Sequence, residues 1–128
     1  MYTLIEVERA VMGEFVCVYY QIGAGKSPVK EFIYSLHKDT RKKYYKRIEL
    51  LEKFGKELSL PHSDYLGDGI YELRFVGIEG QIRVIYFFYY DNKIVLTNAF
   101  LKKQQKAPRL EVKLAKERRN YYIDQNKE

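Results

Sequence analysis

The segment from Ile70 to Leu101 leaves this chain little choice of fold. Three stretches rich in β-branched and aromatic residues, Ile70–Val76, Gln81–Tyr90 and Lys93–Leu101, follow one another with only short breaks between them. Parallel neighbours need a crossover of a dozen or more residues, so strands this close must pair as antiparallel hairpins. Asp91-Asn92 serves as a two-residue turn, because both residue types tolerate positive φ, and the Gly77 to Gly80 stretch closes the other hairpin.

These turns fix a register. They set Phe100 opposite Arg83, Lys102 one step further on the same face, and Arg74 directly opposite Arg83 with Glu72 diagonal to it. Side chains alternate along a strand, so Glu72, Arg74, Arg83 and Lys102 are expected on one side of the sheet. Two like charges at ~5 Å repel by about 3 kcal/mol at an effective dielectric of ~20. An anion is therefore expected between them, and Glu72 is expected to neutralise only one of the two. A phosphate among Arg74, Arg83 and Lys102 would complete the balance, and arginine's fixed fork of donors suits that ligand. The competing arrangement is an ordinary surface pair, with Glu72 on one arginine and the other reaching into solvent. Neither arginine is expected to fill core volume, so Arg74→Ala and Arg83→Ala are expected to leave the fold intact.

Upstream, Phe15 to Gln21 has strand composition, with Thr3 to Val7 as a candidate partner. Ser27-Pro28 reads as a helix start, a hydroxyl cap followed by proline at the first helical position, and Val29, Phe32, Ile33 and Leu36 recur with helical spacing. Asp39 is expected to cap a second helix with Tyr44, Ile48 and Leu51 as its apolar stripe and Gly55 as its stop; its other face is basic from Arg41 through Arg47. Pro, Ser, Asp and Gly residues between Pro61 and Gly69 read as a loop, and Pro108 opens a last helix running to about Ile123. The expected class is α+β: an antiparallel meander sheet with two N-terminal helices and one C-terminal helix, in one domain covering all 128 residues.

Two tempting motifs give way to plainer readings. "GAGKS" at 23–27 lacks the glycine a P-loop needs five places before Gly25, where this chain has Tyr20, so it reads as a strand-to-helix turn. "YFFYY" at 86–90 could stack bases, but aromatics in the central strand of a small sheet are mostly core.

Charge narrows the class of partner. Residues 102–119 hold eight Lys or Arg and two Glu, so this stretch carries 8 − 2 = +6, the whole of the chain's net charge of +6. Such a concentration points to phosphate-bearing partners, nucleic acid before anionic lipid. The longest apolar run is too short for a membrane span, and "MYTLIEVERA" carries acids where a signal peptide carries bases, so a cytoplasmic location is expected. One cysteine, Cys17, and two isolated histidines, His37 and His62, offer no metal cage, and metal-free chemistry is the expectation.

"DGIYELRF", "QIRVIYFF" and "IVLTNAFLKKQQKAPRLEVKLAKERRNYY", preceded by "VYYQIGAGKSPVKEFIYSL", resemble the HigB-type host-inhibition toxins of the RelE/ParE superfamily, including their phage-derived members. The specific part is the ordered set E-L-R, R-V-x-Y, F-x-K-K and K-x-P before a helix with basic and tyrosine positions. The resemblance implies a RelE-like fold, no cofactor, and a helix-turn-helix antitoxin as partner in a hetero-oligomer. It further implies cleavage of messenger RNA on the ribosome, with the RNA's own 2′-hydroxyl as nucleophile. Arg83 then looks like the arginine that stabilises charge on the scissile phosphate, Arg74 a basic position beside it, and Lys102 and Lys103 the basic group ending the last strand. The proton acceptor is either Glu72 or a nearby lysine. Lys106, Arg109, Lys113, Lys116, Arg118 and Arg119, with Arg41, Lys42 and Lys46 of the second helix, are expected to hold RNA or the ribosome.

Two departures stand out. Relatives tend to read K-K-T-x-K-T-P where this chain has "KKQQKAP", and Ala107 in place of a hydroxyl cap is expected to weaken the last helix by ~0.5–2 kcal/mol. Gln104 occupies the other threonine place. A gyrase-inhibiting toxin and a non-catalytic nucleic-acid-binding module remain open on the same fold.

Overall fold

The computed structural model describes residues 14–103 and 108–127. In chain order these form β1 (Val16–Tyr19), α1 (Pro28–Tyr34), α2 (Lys38–Phe54), a 3-10 turn (Gly55–Glu57), β2 (Ser63–Gly67), β3 (Ile70–Gly77), β4 (Gly80–Tyr89), β5 (Lys93–Leu101) and α3 (Arg109–Gln125). The five strands make one sheet in the order β1-β5-β4-β3-β2. The α+β class and the three central strands are as expected. The Thr3 to Val7 stretch lies outside the described residues.

The sheet is mixed, which corrects the purely antiparallel expectation. β1 runs parallel to β5, Val16 beside Lys93 and Tyr19 beside Leu96, because α1 and α2 intervene between β1 and the meander. The two helices thus sit between strands and not ahead of the sheet. Glu52 of α2 secures the start of β1: its carbonyl accepts the Phe15 N–H at 2.8 Å and its carboxylate the Cys17 N–H at 2.9 Å. β2 is a second correction, lying inside the stretch read as a loop. Asp64 and Gly67 are poor strand formers, and pairing with β3, Asp64 opposite Glu72 and Tyr65 opposite Tyr71, makes the segment a strand.

Helices cover both faces, so the central strands carry apolar residues on both sides. Val29, Ile33, Leu36, Tyr44 and Leu51 of α1, α2 and the link between them pack on Leu73, Phe75, Ile82, Val84, Tyr86, Ile94 and Leu96. On the other face Ile70, Ile85, Phe87 and Val95 meet Tyr20 and, from α3, Ala115, Val112, Tyr122 and Ile123. Tyr86 and Phe87 are core, as the plainer reading of "YFFYY" held, while Tyr90 is exposed. "GAGKS" forms a tight turn, with Ile22 bridged to Lys26 and Gly23 and Gly25 at φ 60° and 83°.

Helix ends depart from the expected caps. Ser27 stands at the N-cap of α1, but its hydroxyl caps nothing and is buried without a partner. His37, not Asp39, caps α2; its Nδ1 accepts the Asp39 N–H at 3.1 Å. Glu79 in the β3–β4 turn adds to that cap, its Oε2 accepting the His37 N–H and its Oε1 the Thr40 hydroxyl, each at 2.7 Å. Gly77 permits this approach, since a side chain there would run into Thr40. Gly55 ends α2 at φ 54° as expected, and any side chain on it would strike the Phe15 ring.

The β4–β5 register is right for a reason absent from the turn argument. Tyr89 pairs with Lys93, so the loop has three residues, 90–92, with Asp91 and Asn92 at φ 61° and 58°. Alone that would shift every pair beyond it. A bulge restores the frame: Tyr86 pairs with Leu96 but Ile85 with Asn98, leaving Thr97 as the extra residue. Arg83 therefore faces Phe100 and, across the other hairpin, Arg74 faces Arg83. No helix among the described residues is long and apolar enough to cross a membrane.

Candidate nucleic-acid interface

Glu72, Arg74 and Arg83 share one side of the sheet, as alternation requires, but their balance of charge differs from the expected one. Glu72 is 1% exposed and reaches both guanidiniums: Oε2 lies 3.2 Å from Arg74 Nε and Oε1 lies 3.1 Å from Arg83 Nε. The second contact is an ion pair whose N–H is not aimed for a directed hydrogen bond. β2 brings Asp64 Oδ2 to 3.4 Å from Arg74 NH2. Two carboxylates thus face two guanidiniums, and the anion that offsets the arginine pair comes from the protein itself.

This geometry separates the roles of the two arginines. Arg83 is 6% exposed, and its remaining donors go to the Ile82 carbonyl at 3.1 Å and to Gln81 Oε1 at 2.9 Å. Burial lowers its pKa, with Glu72 opposing and Arg74 adding to the fall. Arg74 keeps 28% of its side chain exposed and is the member that can meet a ligand. The expectation that Arg83 fills no core volume is therefore corrected. Glu72 Oε2 accepts from Arg74 Nε, Oε1 is ion-paired with Arg83 without a directed hydrogen bond, and the carboxylate is sealed from solvent.

Around the open edge of β3, Arg74 and part of Arg83 also line a groove of about 710 Å³ against α2. Lys43, Lys46 and Arg47 line its helix side, with Pro61 and His62 at one end and Val76 and Gln81 at the other. Among the described residues its lining includes five permanent cations and no carboxylate. Lys43 Nζ donates to the Val76 carbonyl at 3.0 Å, an Arg47 guanidinium N–H meets His62 Nδ1, and Arg47 Nε is buried without a partner. Burial lowers the Arg47 pKa.

Residues 31–120 match the model of the family described as phage derived protein Gp49-like. The chain belongs to that family. It is a toxin–antitoxin-associated family of phage-derived proteins, and the match runs from within α1 to within α3, spanning β2 to β5 and the whole groove. No curated protein matches the chain.

In this Gp49-like protein the basic residues of α3 divide. Arg118 donates to the Thr97 carbonyl at 2.7 Å and lies over the Tyr20 ring, 5.5 Å from its centre. Arg119 holds the Asp68 carbonyl and stands 3.4 Å from its carboxylate, with Lys116 Nζ at 3.7 Å from the same group. These three tie the helix to the β2–β3 turn and to β5. Arg109 and Lys113 are exposed. On α2, Arg41 is also engaged, donating to the carbonyls of Tyr34 and Leu36 at 3.2 and 2.9 Å, whereas Lys42 and Lys46 are exposed.

Lys102 continues the β4–β5 ladder, its N–H on the Gln81 carbonyl at 2.8 Å, and stays half-buried beside exposed Lys103. Lys106, Gln104 and Ala107 lie outside the described residues, and with them the expected effect on the helix start. Sequence reasoning missed Lys43, Arg47, His62, Asp64 and Gln81 as site residues. The i, i+3, i+4 spacing of Lys43, Lys46 and Arg47 was a readable signal for one helix face. Nothing local marks His62 or Asp64, which arrive from the bend before β2 and from β2 itself.

Proposed function

We propose that this protein is the toxin of a toxin–antitoxin pair and that it cuts messenger RNA on the ribosome without a metal ion, its partner being a helix-turn-helix antitoxin. The observation that carries the reading is Arg74: a partly exposed guanidinium, oriented by Glu72 at 3.2 Å and Asp64 at 3.4 Å, opening onto a groove to which no described residue adds a carboxylate. The RelE-like resemblance and membership of a toxin–antitoxin-associated family support it.

In the proposed reaction the 2′-oxygen of the RNA attacks the adjacent phosphorus. The bond from phosphorus to the 5′-oxygen breaks, giving a 2′,3′-cyclic phosphate and a 5′-hydroxyl. Charge accumulates on the non-bridging oxygens in the transition state, and a donor already fixed in place stabilises it without reorganising. Arg74 supplies that donor, Glu72 and Asp64 hold it in place, Arg83 braces Glu72, and Lys102 and Lys103 add positive charge from the end of β5. The 2′-hydroxyl gives its proton to solvent water, because Glu72 is buried between two guanidiniums, and water returns a proton to the departing 5′-oxygen.

The test is purified protein added to translating ribosomes, with cleavage mapped on the message. Cuts should appear, and Arg74→Ala should slow them by about 10²-fold or more while leaving the circular dichroism unchanged, the scale on which loss of one charge-stabilising donor is felt. Messages left intact where a known relative cuts would overturn the reading.

A further inference from the structure

The groove between α2 and the open edge of β3 holds more positive charge than its own surroundings balance. Of its five cations, Arg74 and Arg83 are matched by Glu72 and Asp64; no ion pair joins Lys43, Lys46 or Arg47 to an acid among the described residues, so 5 − 2 leaves a surplus of +3. Lys46 is exposed, Lys43 is exposed with one donor on the Val76 carbonyl, and Arg47 Nε is buried with no acceptor. A rigid helix thus presents three cations, one with an unused buried donor, to a cleft where no described residue contributes a carboxylate.

We infer that this groove binds the phosphates of a single RNA strand flanking the one held at Arg74, leading the strand around the β3 edge from the α2 side of the sheet to the Arg74 side. The inference rests on the nuclease reading for the identity of its ligand. Three features carry it. The groove is continuous with Arg74 and Arg83, which belong to both sites. Lys46 and Arg47 stand at i+3 and i+4 from Lys43, which sets each Cβ ~5–6 Å from that of Lys43 one helical turn away, a spacing suited to neighbouring charges on an extended backbone. An acidic peptide added as a strand is disfavoured, because the Val76 carbonyl, on the edge it would pair with, already accepts from Lys43.

Counterion release makes the claim measurable. Each phosphate neutralised on a single strand contributes about −0.7 to the slope of log K against log salt. Binding of a fluorescent 2′-deoxy oligonucleotide, which cannot be cleaved by 2′-oxygen attack, should be followed by anisotropy across a salt series. The variants are the Lys43→Ala/Lys46→Ala pair and, as a control for loss of a surface charge outside the groove, Lys30→Ala on α1. The pair should weaken binding by tenfold or more and flatten the slope by about 1.4, while Lys30→Ala leaves the slope unchanged. A slope equal to the wild type in the folded double variant would overturn the inference, as would displacement of the strand only by an acidic peptide and not by unlabelled oligonucleotide. The two claims fail separately. A wild type that cuts messages while the double variant binds oligonucleotide normally sinks the groove alone, and a wild type that leaves messages intact while the double variant loses binding sinks the nuclease alone.

Discussion

The two basic helices differ in what their charges do. α3 belongs to the stretch that carries the chain's whole net charge, yet Lys116, Arg118 and Arg119 are engaged with Asp68, the Thr97 carbonyl and the Tyr20 ring. α2 lies in the part of the sequence whose charges sum to zero, and its Lys43, Lys46 and Arg47 face a groove with no acid among its described lining residues. Charge density along a chain therefore reports how many cations there are and not how many are free. What decides is whether an acid or a carbonyl from another element reaches the same place.

The comparison is sharpened first where cations are deepest. Glu72→Gln keeps the shape of the side chain but leaves Arg83 buried without its counter-ion, and stripping one partner from a buried pair costs about 3–5 kcal/mol. Urea unfolding should show that loss; a change under ~1 kcal/mol would mean that the cluster is not the internal brace described. Next, Arg119→Ala should remove about 1.5 kcal/mol by releasing α3 from the β2–β3 turn, a charged hydrogen bond discounted for partial exposure, whereas Lys113→Ala on the same helix should stay within ~0.5 kcal/mol. Equal effects would break the division drawn within α3.

The smallest effect concerns the cap that holds the grooved helix against the hairpin. Hydrogen bonds from the His37 N–H and then the Thr40 hydroxyl hold the Glu79 carboxyl below its ordinary value of 4.5. A group whose pKa is lowered by folding contributes stability above the unfolded value and loses it as pH falls through the folded one. Stability of the wild type should therefore drop more steeply than that of Glu79→Gln as pH falls from neutrality through the carboxylate range. Parallel pH curves for the two proteins would remove Glu79 as a pH-sensitive brace of α2.

Much of the fold was legible because its signals are local. β3, β4 and β5 announce themselves by composition, Gly55 and Pro108 punctuate helices, and hairpins allow register to be counted. β2 was not legible, since Ser63, Asp64 and Gly67 have no preference for extension until β3 pairs with them. The β4–β5 register was reached through two offsetting features, a longer loop and a bulge at Thr97, of which the sequence displays neither. At the site, the convergence of Glu72, Arg74 and Arg83 could be read from alternation, but Asp64 comes from the unseen strand and His62 from the bend before it.

By itself the chain determined that a meander would set two arginines face to face with a glutamate beside them, because strand alternation and turn length are properties of neighbours in sequence. Only the tertiary structure decided that Glu72 would join both guanidiniums, that Arg83 would be sealed in while Arg74 stayed partly open, and that α2 would keep the free charge. Burial and charge pairing depend on what arrives from distant elements, and the free energy of a cation is set by those arrivals more than by the residues on either side of it.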